Sequence, residues 1–523
     1  MDAKPQPLPE IVRDVARSDP MRTCLIEAGG RSATYTEVHK NALRWSRLLR
    51  DRGVARGDTV ATMLPTSIAA IEIWLGIAWI GAIEVPINTA YRGRMLEHVL
   101  DDSATATVLA TSDFAEVLRE PLAQRESITT LVVAGGLDER TRSLENIDIV
   151  DGSQLPEPLA DADLSALAMH ELSCILYTSG TTGPSKGVMV PWAQMFATAL
   201  GGAPGVDVGP DDVLYVPFPL FHVSGKNMIY LSSLAGGHSV LKAQFKTDEF
   251  WRDIRDYGCT ITLLLGAMAN FVYNQPELPD DADNPLQIVT MVPVIADVAA
   301  FKERFDVQVT TVFNMTETSC PLTSDGFDLG PAGSCGRPRA GYQVRLVDEL
   351  DREVPPGVLG ELVLRSDEPW TQMAGYWKRP EATVAAWGNQ WLHTGDGFIR
   401  DENDNYFFVD RKKDAIRRRG ENISSFEVEA QVNEHPAVLE CAAVAVASEH
   451  SEDEVKIAVV LHEPGSLPAA DLHAYLVERM PKFMVPRYIE FLDELPKTPT
   501  QKIRKVVLRT DGITVGTWDA AAN

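Results

Sequence analysis

The stretch Tyr177-Thr178-Ser179-Gly180-Thr181-Thr182-Gly183-Pro184-Ser185-Lys186-Gly187 constrains this chain more than any other. It follows the apolar run Cys174-Ile175-Leu176, which reads as a short buried strand. Five hydroxyls, two glycines and one lysine then fall within residues 178–186. Glycine lets a backbone approach a ligand closely and take positive φ. Hydroxyls and exposed N–H groups point at acceptor oxygens, and Lys186 adds a point charge. A loop of this chemistry suits a polyphosphate. It is not a Walker loop, which needs Gly directly before the Lys and Ser or Thr after it. Here Ser185 precedes Lys186 and Gly187 follows it. The plainer alternative is a surface loop rich in turn formers.

A chain of 523 residues exceeds one hydrophobic core and implies two or more domains. Apolar content of 45% and charged content of 23% are those of an ordinary globular protein. The net charge of −26 argues against nucleic acid or an anionic membrane as main partner, since both need a basic face. It leaves room for a local basic site that takes anionic substrates. The six cysteines are scattered, with no C-x-x-C pair. That spacing disfavours a disulfide framework or a zinc site and fits a reducing, cytoplasmic setting. Met1-Asp2-Ala3-Lys4-Pro5 lacks an apolar signal core, so no secretory signal is expected. In the most apolar region, 68–87, Glu72 and Glu84 interrupt the run and Pro86 ends it. A buried helix is expected there rather than a transmembrane segment.

Thr36 is expected to cap a helix running to about Arg52, with Gly53 as its stop. Short apolar runs at 59–64, 82–87, 107–110 and 130–133 alternate with helical periods. Further strands are expected at 213–220, 239–241, 260–265, 288–292 and 307–313. This alternation predicts a layered α/β architecture with largely parallel sheets. From Gly341 the texture changes. Strands at 343–347, 360–364 and 406–409, with a turn at Asp404-Asn405, predict an antiparallel, β-barrel-like subdomain. A boundary at 410–414 divides a large domain, 1–409, from a small α+β domain, 410–523. In the latter, Ser424-Ser425-Phe426-Glu427 reads as a capping box, and strands are expected at 438–447, 455–462 and 487–492. The tail from Asp511 has little pattern and is expected to fray.

Four further motifs follow the phosphate-loop candidate. They are Phe313-Asn314-Met315-Thr316-Glu317, Trp391-Leu392-His393-Thr394-Gly395-Asp396, Asp410-Arg411-Lys412-Lys413-Asp414 and Pro496-Lys497-Thr498-Pro499-Thr500-Gln501-Lys502. In this order and at this spacing, the five resemble the core motifs of the adenylate-forming superfamily: acyl-CoA synthetases, peptide-synthetase adenylation domains and firefly-type luciferases. The resemblance spans about Pro9 to Arg509. It implies a large ATP- and acyl-binding domain and a small, mobile C-terminal domain. The implied chemistry is attack of a carboxylate on the α-phosphate of ATP, then transfer of the acyl group to coenzyme A. Two anions must meet, so neutralisation and positioning dominate.

The resemblance assigns roles residue by residue. Thr178, Ser179, Gly180, Thr181, Thr182, Gly183 and Lys186 would hold phosphates. Glu317 supplies the hard oxygen that Mg²⁺ prefers, and Thr316 donates to a phosphate. Phe313 stacks on adenine, or is a plain core residue. Asp396 accepts from the ribose hydroxyls, its bland alternative being a turn aspartate, and Arg411 is the second ribose contact. Lys502 reaches both the incoming carboxylate and the α-phosphate. The rival reading for it is a solvated basic patch with Lys497, Arg504 and Lys505. Lys413 maps to the hinge, and Gly420, Glu421 and Asn422 to the face that shapes the coenzyme A tunnel. The Arg417-Arg418-Arg419 run either meets cofactor phosphates or is a solvated edge. His222 either gates the carboxylate channel or is a satisfied core histidine.

The sequence departs from the family at three places. Phe313-Asn314 stands where Tyr-Gly is usual, Gln501 where Gly precedes the lysine, and Met291-Val292-Pro293 where Gly-Ala-Pro is frequent. With Val223, Lys226, Gly266 and Met268, the last three residues are expected to line the acyl pocket. Their bulk, with that of Asn314, implies a short or medium acyl group. Lys226 is either an anchor for a polar substrate or a lysine that snorkels to the surface. The 418–425 stretch is similar to that of carnitine/crotonobetaine-type CoA ligases. The implied partners are a small-molecule carboxylic acid and coenzyme A, with the homodimeric state open. Two alternatives stand beside the CoA ligase: an enzyme loading a carrier-protein phosphopantetheine, and a non-catalytic nucleotide-binding protein on the same fold.

Overall fold

The computed structural model describes all residues except 1–3, 139–140, 142–146, 179–184, 412–415, 419–420, 424, 448–452, 481, 483, 498–502 and 523. The chain forms two compact units: Met1–Val344 with Arg365–Gly388, and Arg345–Leu364 with Asn389–Asn523. This grouping reflects packing. The 410–414 segment, where the sequence texture places a boundary, falls inside the second of these units.

The first unit is built on two large sheets. One has eight strands in the order Gly375–Tyr376, Lys186–Pro191, Leu172–Thr178, Ile83–Pro86, Thr59–Met63, Thr107–Thr111, Thr130–Ala134 and Asp148–Asp151. From Leu172–Thr178 onward every pair is parallel, whereas Lys186–Pro191 runs antiparallel to both neighbours. The second has seven strands, from Gln308–Thr310 through Ile288–Val292, Ile261–Leu265, Val213–Val216 and His238–Leu241 to Thr23–Glu27 and Ser32–Thr34. All its pairs are parallel except the last. The expected layered α/β architecture with largely parallel sheets is therefore present. The run at 307–313 divides, because Val312–Phe313 leaves the large sheet and joins a small antiparallel one with Leu322–Thr323 and Arg337–Pro338.

Helix Ile68–Trp79 is apolar nearly all round, and the structure buries eleven of its twelve residues. Such a helix must lie inside a protein. It packs on helix Tyr35–Asp51 at Gly76, where a Cβ would stand 2.7 Å from the Ala42 carbonyl oxygen. Only glycine permits that approach. The two acids that interrupt the apolar run are both satisfied. Glu72 accepts from Asn41 at 2.9 Å and pairs with Arg31, and Glu84 pairs with Lys226. The cap of helix Tyr35–Asp51 is Thr34 rather than Thr36. Glu37 lies three residues after Thr34 and closes a reciprocal capping box with it, which a cap at Thr36 would forgo.

Largely within the second unit, a sheet runs Tyr342–Val347, Gly360–Ser366, Leu392–Arg400, Tyr406–Arg411, its last two pairs antiparallel. Its last turn has Asp404 at φ 58°, as the turn chemistry predicts. A second sheet joins Val438–Ala447, Asp453–Leu461, Tyr488–Phe491 and Trp518–Asp519. Helices Ser425–Asn433 and Ala469–Val477 belong to the same core, through Val428, Val432, Leu472 and Leu476. Ser424 of the expected capping box lies outside the described residues. The tail does not fray. Trp518–Asp519 adds an antiparallel edge strand to Tyr488–Phe491, and Asp519 takes both Arg487 nitrogens at 2.9 and 3.0 Å. Among the described residues no helix is long and apolar enough to cross a membrane.

Candidate active site

Strands Leu172–Thr178 and Lys186–Pro191 pair to their very ends, with Thr178 opposite Lys186. Their pairing brings the two stems of the phosphate-loop candidate side by side. Ser179, Gly180, Thr181, Thr182 and Gly183 lie outside the described residues. Helix Gly93–Ser103 fastens both stems. Asp102 Oδ2 accepts from the Tyr177 hydroxyl at 2.8 Å, and His98 Nε2 donates to the Ser185 carbonyl at 2.8 Å. Lys186 is half-buried, with its ammonium 4.8 Å from the centre of the Tyr376 ring. That is cation–π range.

Glu317 is half-buried and held at both ends. Its carboxylate Oε1 accepts from the Tyr376 hydroxyl at 3.0 Å, and its carbonyl accepts from Met373 N at 3.0 Å. Burial first, and the Glu317 carboxylate second, push the Tyr376 phenol well above its usual range, so it stays a donor. The preceding Thr316 carbonyl accepts from Gln194 Nε2 at 2.7 Å. Asn314 folds back on this loop, its Oδ1 accepting from Cys320 N at 2.8 Å and Thr318 Oγ1 at 3.0 Å. Phe313 is half-buried opposite Leu322.

His222 is the N-cap residue of helix Val223–Ala235 and lies against Phe221, ring centres 5.0 Å apart. One turn on, Lys226 is buried at 1% exposure and paired with Glu84, so it does not snorkel. The ion pair holds the ammonium inside, where the surface would leave Glu84 uncompensated. Gly266 abuts Pro293, whose carbonyl oxygen would stand 3.0 Å from an added Cβ. Met291 is fully buried in the core around Val289 and Phe301, Met268 packs at that core's edge, and Val292 is half-buried.

In the second unit, Asp396 is buried at 3% exposure and sits opposite Arg411 in the strand pair. Gly395, at φ 72°, donates its N–H to Glu361 Oε1 at 3.0 Å. Thr394 Oγ1 donates to the Leu362 carbonyl at 2.7 Å, and buried Trp391 carries the Arg345 guanidinium 4.4 Å from its ring centre. Lys413, Gly420 and Lys502 lie outside the described residues. Glu421 and Asn422 form a short hairpin with Ile416–Arg418. Arg418 meets neither open expectation for its run. It is buried, paired with Glu454 at 2.6 Å and donating to the Val485 carbonyl. Of the cations near Lys502 in sequence, Lys497 pairs with Glu440 at 2.6 Å and Lys505 with Glu429 at 2.8 Å. Those two cations are neutralised, which weakens the reading of a solvated basic patch.

Sequence reading missed Tyr376, Asp102, His98 and Gln194. Each touches a motif from far along the chain, so spacing carries no sign of it.

A paired loop stem beside a buttressed Thr-Glu loop, in a unit built on two largely parallel sheets, is the frame of a nucleotide-activating enzyme. The chain belongs to the AMP-binding enzyme family, which matches residues 12–377, with the family's C-terminal domain matching 427–502. It is similar to the crotonobetaine/carnitine–CoA ligase of Citrobacter koseri, 28% identical over 513 residues, 96% of this chain and 99% of that one. The same-named protein of Salmonella arizonae is 29% identical over 91% of this chain and 93% of its own. Among solved structures, an anthranilate CoA ligase in complex with anthranoyl-AMP superposes with a TM-score of 0.84 at 26% identity, covering 97% of each chain.

Proposed function

We propose that this protein is an ATP-dependent carboxylic acid–CoA ligase. In the first step a carboxylate oxygen bonds to the α-phosphorus of ATP, the α–β bridging P–O bond breaks, and pyrophosphate leaves. In the second the coenzyme A sulfur bonds to the acyl carbon, the acyl–oxygen bond breaks, and AMP and a proton leave. The observation that carries this reading is the meeting of Glu317 and Lys186 on one side chain, Tyr376, in a chain of this family.

The residues present fit Mg²⁺ and a polyphosphate. Glu317 offers a hard carboxylate oxygen held by the Tyr376 hydroxyl, and Lys186 holds its ammonium over the ring of the same tyrosine. Mg²⁺, held through Glu317, would supply neutralisation of the polyphosphate charge. The 178–183 loop and Lys186 hold phosphates, Thr316 donates to one, Phe313 stacks on adenine, and Asp396 and Arg411 take the ribose. Lys502 steadies the carboxylate against the α-phosphate. The 410–523 domain then turns about Lys413 and presents Gly420, Glu421 and Asn422 to the thiol. His222 gates the carboxylate channel. Val223, Gly266, Met268, Val292 and Pro293 line a pocket for a short or medium acyl group, with Met291 packed in the core behind them. Lys226 already has its counter-charge in Glu84, which favours an uncharged acyl portion. None of the six cysteines is in a disulfide and five are buried, which suits a reducing cytoplasm.

The test is release of AMP and pyrophosphate with ATP, Mg²⁺, coenzyme A and a panel of short, medium, betaine-type and aromatic acids. An acid-dependent signal that needs coenzyme A is expected. No AMP with any acid ends the proposal.

A further inference from the structure

Tyr376 belongs to none of the five motifs. It lies on strand Gly375–Tyr376, which pairs antiparallel with Lys186–Pro191, Tyr376 opposite Val188. Ala374 N donates to the Met189 carbonyl at 2.9 Å and Trp377 N to the Gly187 carbonyl at 2.7 Å. The 374–377 segment is thus laced to the strand that leaves the phosphate loop. At its start, Met373 N reaches the Glu317 carbonyl. Beyond it, Trp377 Nε1 donates to the Asp102 carbonyl and Arg379 Nη2 to Asp102 Oδ1, both at 3.0 Å. The Asp102 carboxylate also takes the Tyr177 hydroxyl. Backbone bonds and Asp102 hold the segment on both sides, and Tyr376 points its two functional parts at two motif residues. Its hydroxyl meets Glu317 Oε1, and its ring face meets the Lys186 ammonium.

A glutamate's terminal torsion is broad and roughly two-fold, so an untethered carboxylate has no fixed orientation. A lysine ammonium on a four-carbon stem is equally loose. One rigid phenol removes both freedoms. We propose that Tyr376 is a positioning residue of the nucleotide site, orienting the Glu317 carboxylate through its hydroxyl and the Lys186 ammonium through its ring. This rests on the ligase reading given above. Partners that orient a metal-holding carboxylate are worth about 10–100-fold in metal affinity. A cation–π contact adds about twofold or more to the hold on a cation.

The two parts separate by substitution. Tyr376→Phe removes the hydroxyl and keeps the ring, and Tyr376→Leu removes both. The measurements are equilibrium binding of a β,γ-methylene ATP analogue without divalent ion, then Mn²⁺ half-saturation of the analogue complex by electron paramagnetic resonance. Tyr376→Phe is expected to raise the Mn²⁺ half-saturation about tenfold, while metal-free nucleotide affinity stays within about twofold. Tyr376→Leu is expected to weaken metal-free binding about threefold as well. An unchanged Mn²⁺ half-saturation in Tyr376→Phe overturns the proposal. So does an equal loss of metal-free affinity in both variants. A signature that needs no stable variant comes from 3-fluorotyrosine at position 376. Its fluorine resonance is expected to move when Mg²⁺ and the analogue are added together, and an unmoved resonance also overturns the proposal. A wild-type protein that binds no nucleotide would instead remove the ligase reading beneath it.

Discussion

Lys226 and Glu84 stand 142 residues apart in the chain, one on a helix and the other on a strand, yet their charges meet in the interior. Glu84 lies on strand Ile83–Pro86 at 3% exposure, and Lys226 on helix Val223–Ala235 at 1%. The Thr62 hydroxyl donates to Glu84 Oε1 at 2.9 Å, and the Lys226 ammonium stands 3.6 Å from the Trp74 ring centre. The pair ties the helix that begins at His222 to the sheet that carries the phosphate-loop stem. Removing one partner of a buried pair leaves an uncompensated charge, at about 3–5 kcal/mol. Lys226→Met and Glu84→Gln are each expected to destabilise the first unit by that order in urea unfolding. The double variant Lys226→Met with Glu84→Leu is expected to recover most of the loss, because apolar isosteres replace such pairs at little net cost. Strictly additive losses would show that the two charges do not interact.

His39, on helix Tyr35–Asp51, faces the edge of Trp79 at 5.8 Å. Burial first lowers its pKa from 6.5 to about 4. Asp161 and Asp14 oppose that shift, and Arg13 and Arg17 reinforce it. A histidine depressed in the folded state binds fewer protons there than in the unfolded chain. Its stabilising contribution is therefore complete above pH 6.5 and falls away as the pH drops towards 4. Thermal unfolding between pH 7 and pH 4 is expected to show this slope on top of the general carboxylate titration. His39→Gln is expected to flatten the slope by on the order of 2 kcal/mol over the window. A variant with the wild-type pH profile would remove His39 as the cause.

Strand Trp518–Asp519 closes the edge of the C-terminal sheet, and Arg487 grips Asp519 with two nitrogens. Bidentate geometry of this kind gives a part-exposed pair about 1 kcal/mol or less. The ladder and the Trp518 contact with the C-terminal core add to that. Deleting 512–523 is expected to lower the unfolding midpoint of the second unit, and Asp519→Ala to lower it by a smaller step. A deletion that leaves proteolysis rates and unfolding unchanged would count against a structural role for the tail.

Much of this architecture can be read from local pattern, and the reasons for the exceptions are specific. Val438–Ala447 and Ile288–Val292 are legible because an apolar run with breakers on both sides has few other fates. Thr34 and Thr36 are both good caps, and only the spacing to Glu37 decides between them. Trp518–Asp519 is too short to show a period, since its partner strand alone makes it a strand. The site divides in the same way. Glu317 and Asp396 stand out by motif, whereas Tyr376 reaches Glu317 across 59 residues and Asp102 reaches Tyr177 across 75. No periodicity or spacing rule links positions so far apart. Arg418 looks like surface charge until Glu454 is placed beside it.

Lys502 lies outside the described residues, but the residues flanking 498–502 pair with one another. Lys497 bridges Ile503, and Arg504 N donates to the Pro496 carbonyl at 2.7 Å. With Lys497 and Lys505 each neutralised by a glutamate, neither neighbour is available to take over a phosphate contact. Lys502→Ala is therefore expected to lose on the order of 10²-fold or more in acid-dependent pyrophosphate release, the loss typical of one transition-state donor. Thioester formation from a synthetic acyl-adenylate and coenzyme A is expected to change by less than about threefold, because that bond change involves the acyl carbon and the thiol, after pyrophosphate has gone. The two half-reactions are measured separately, by pyrophosphate release without coenzyme A and by thioester formation without ATP. Equal losses in both would mean that Lys502 serves both conformations, and the proposed rotation about Lys413 would then have nothing to separate.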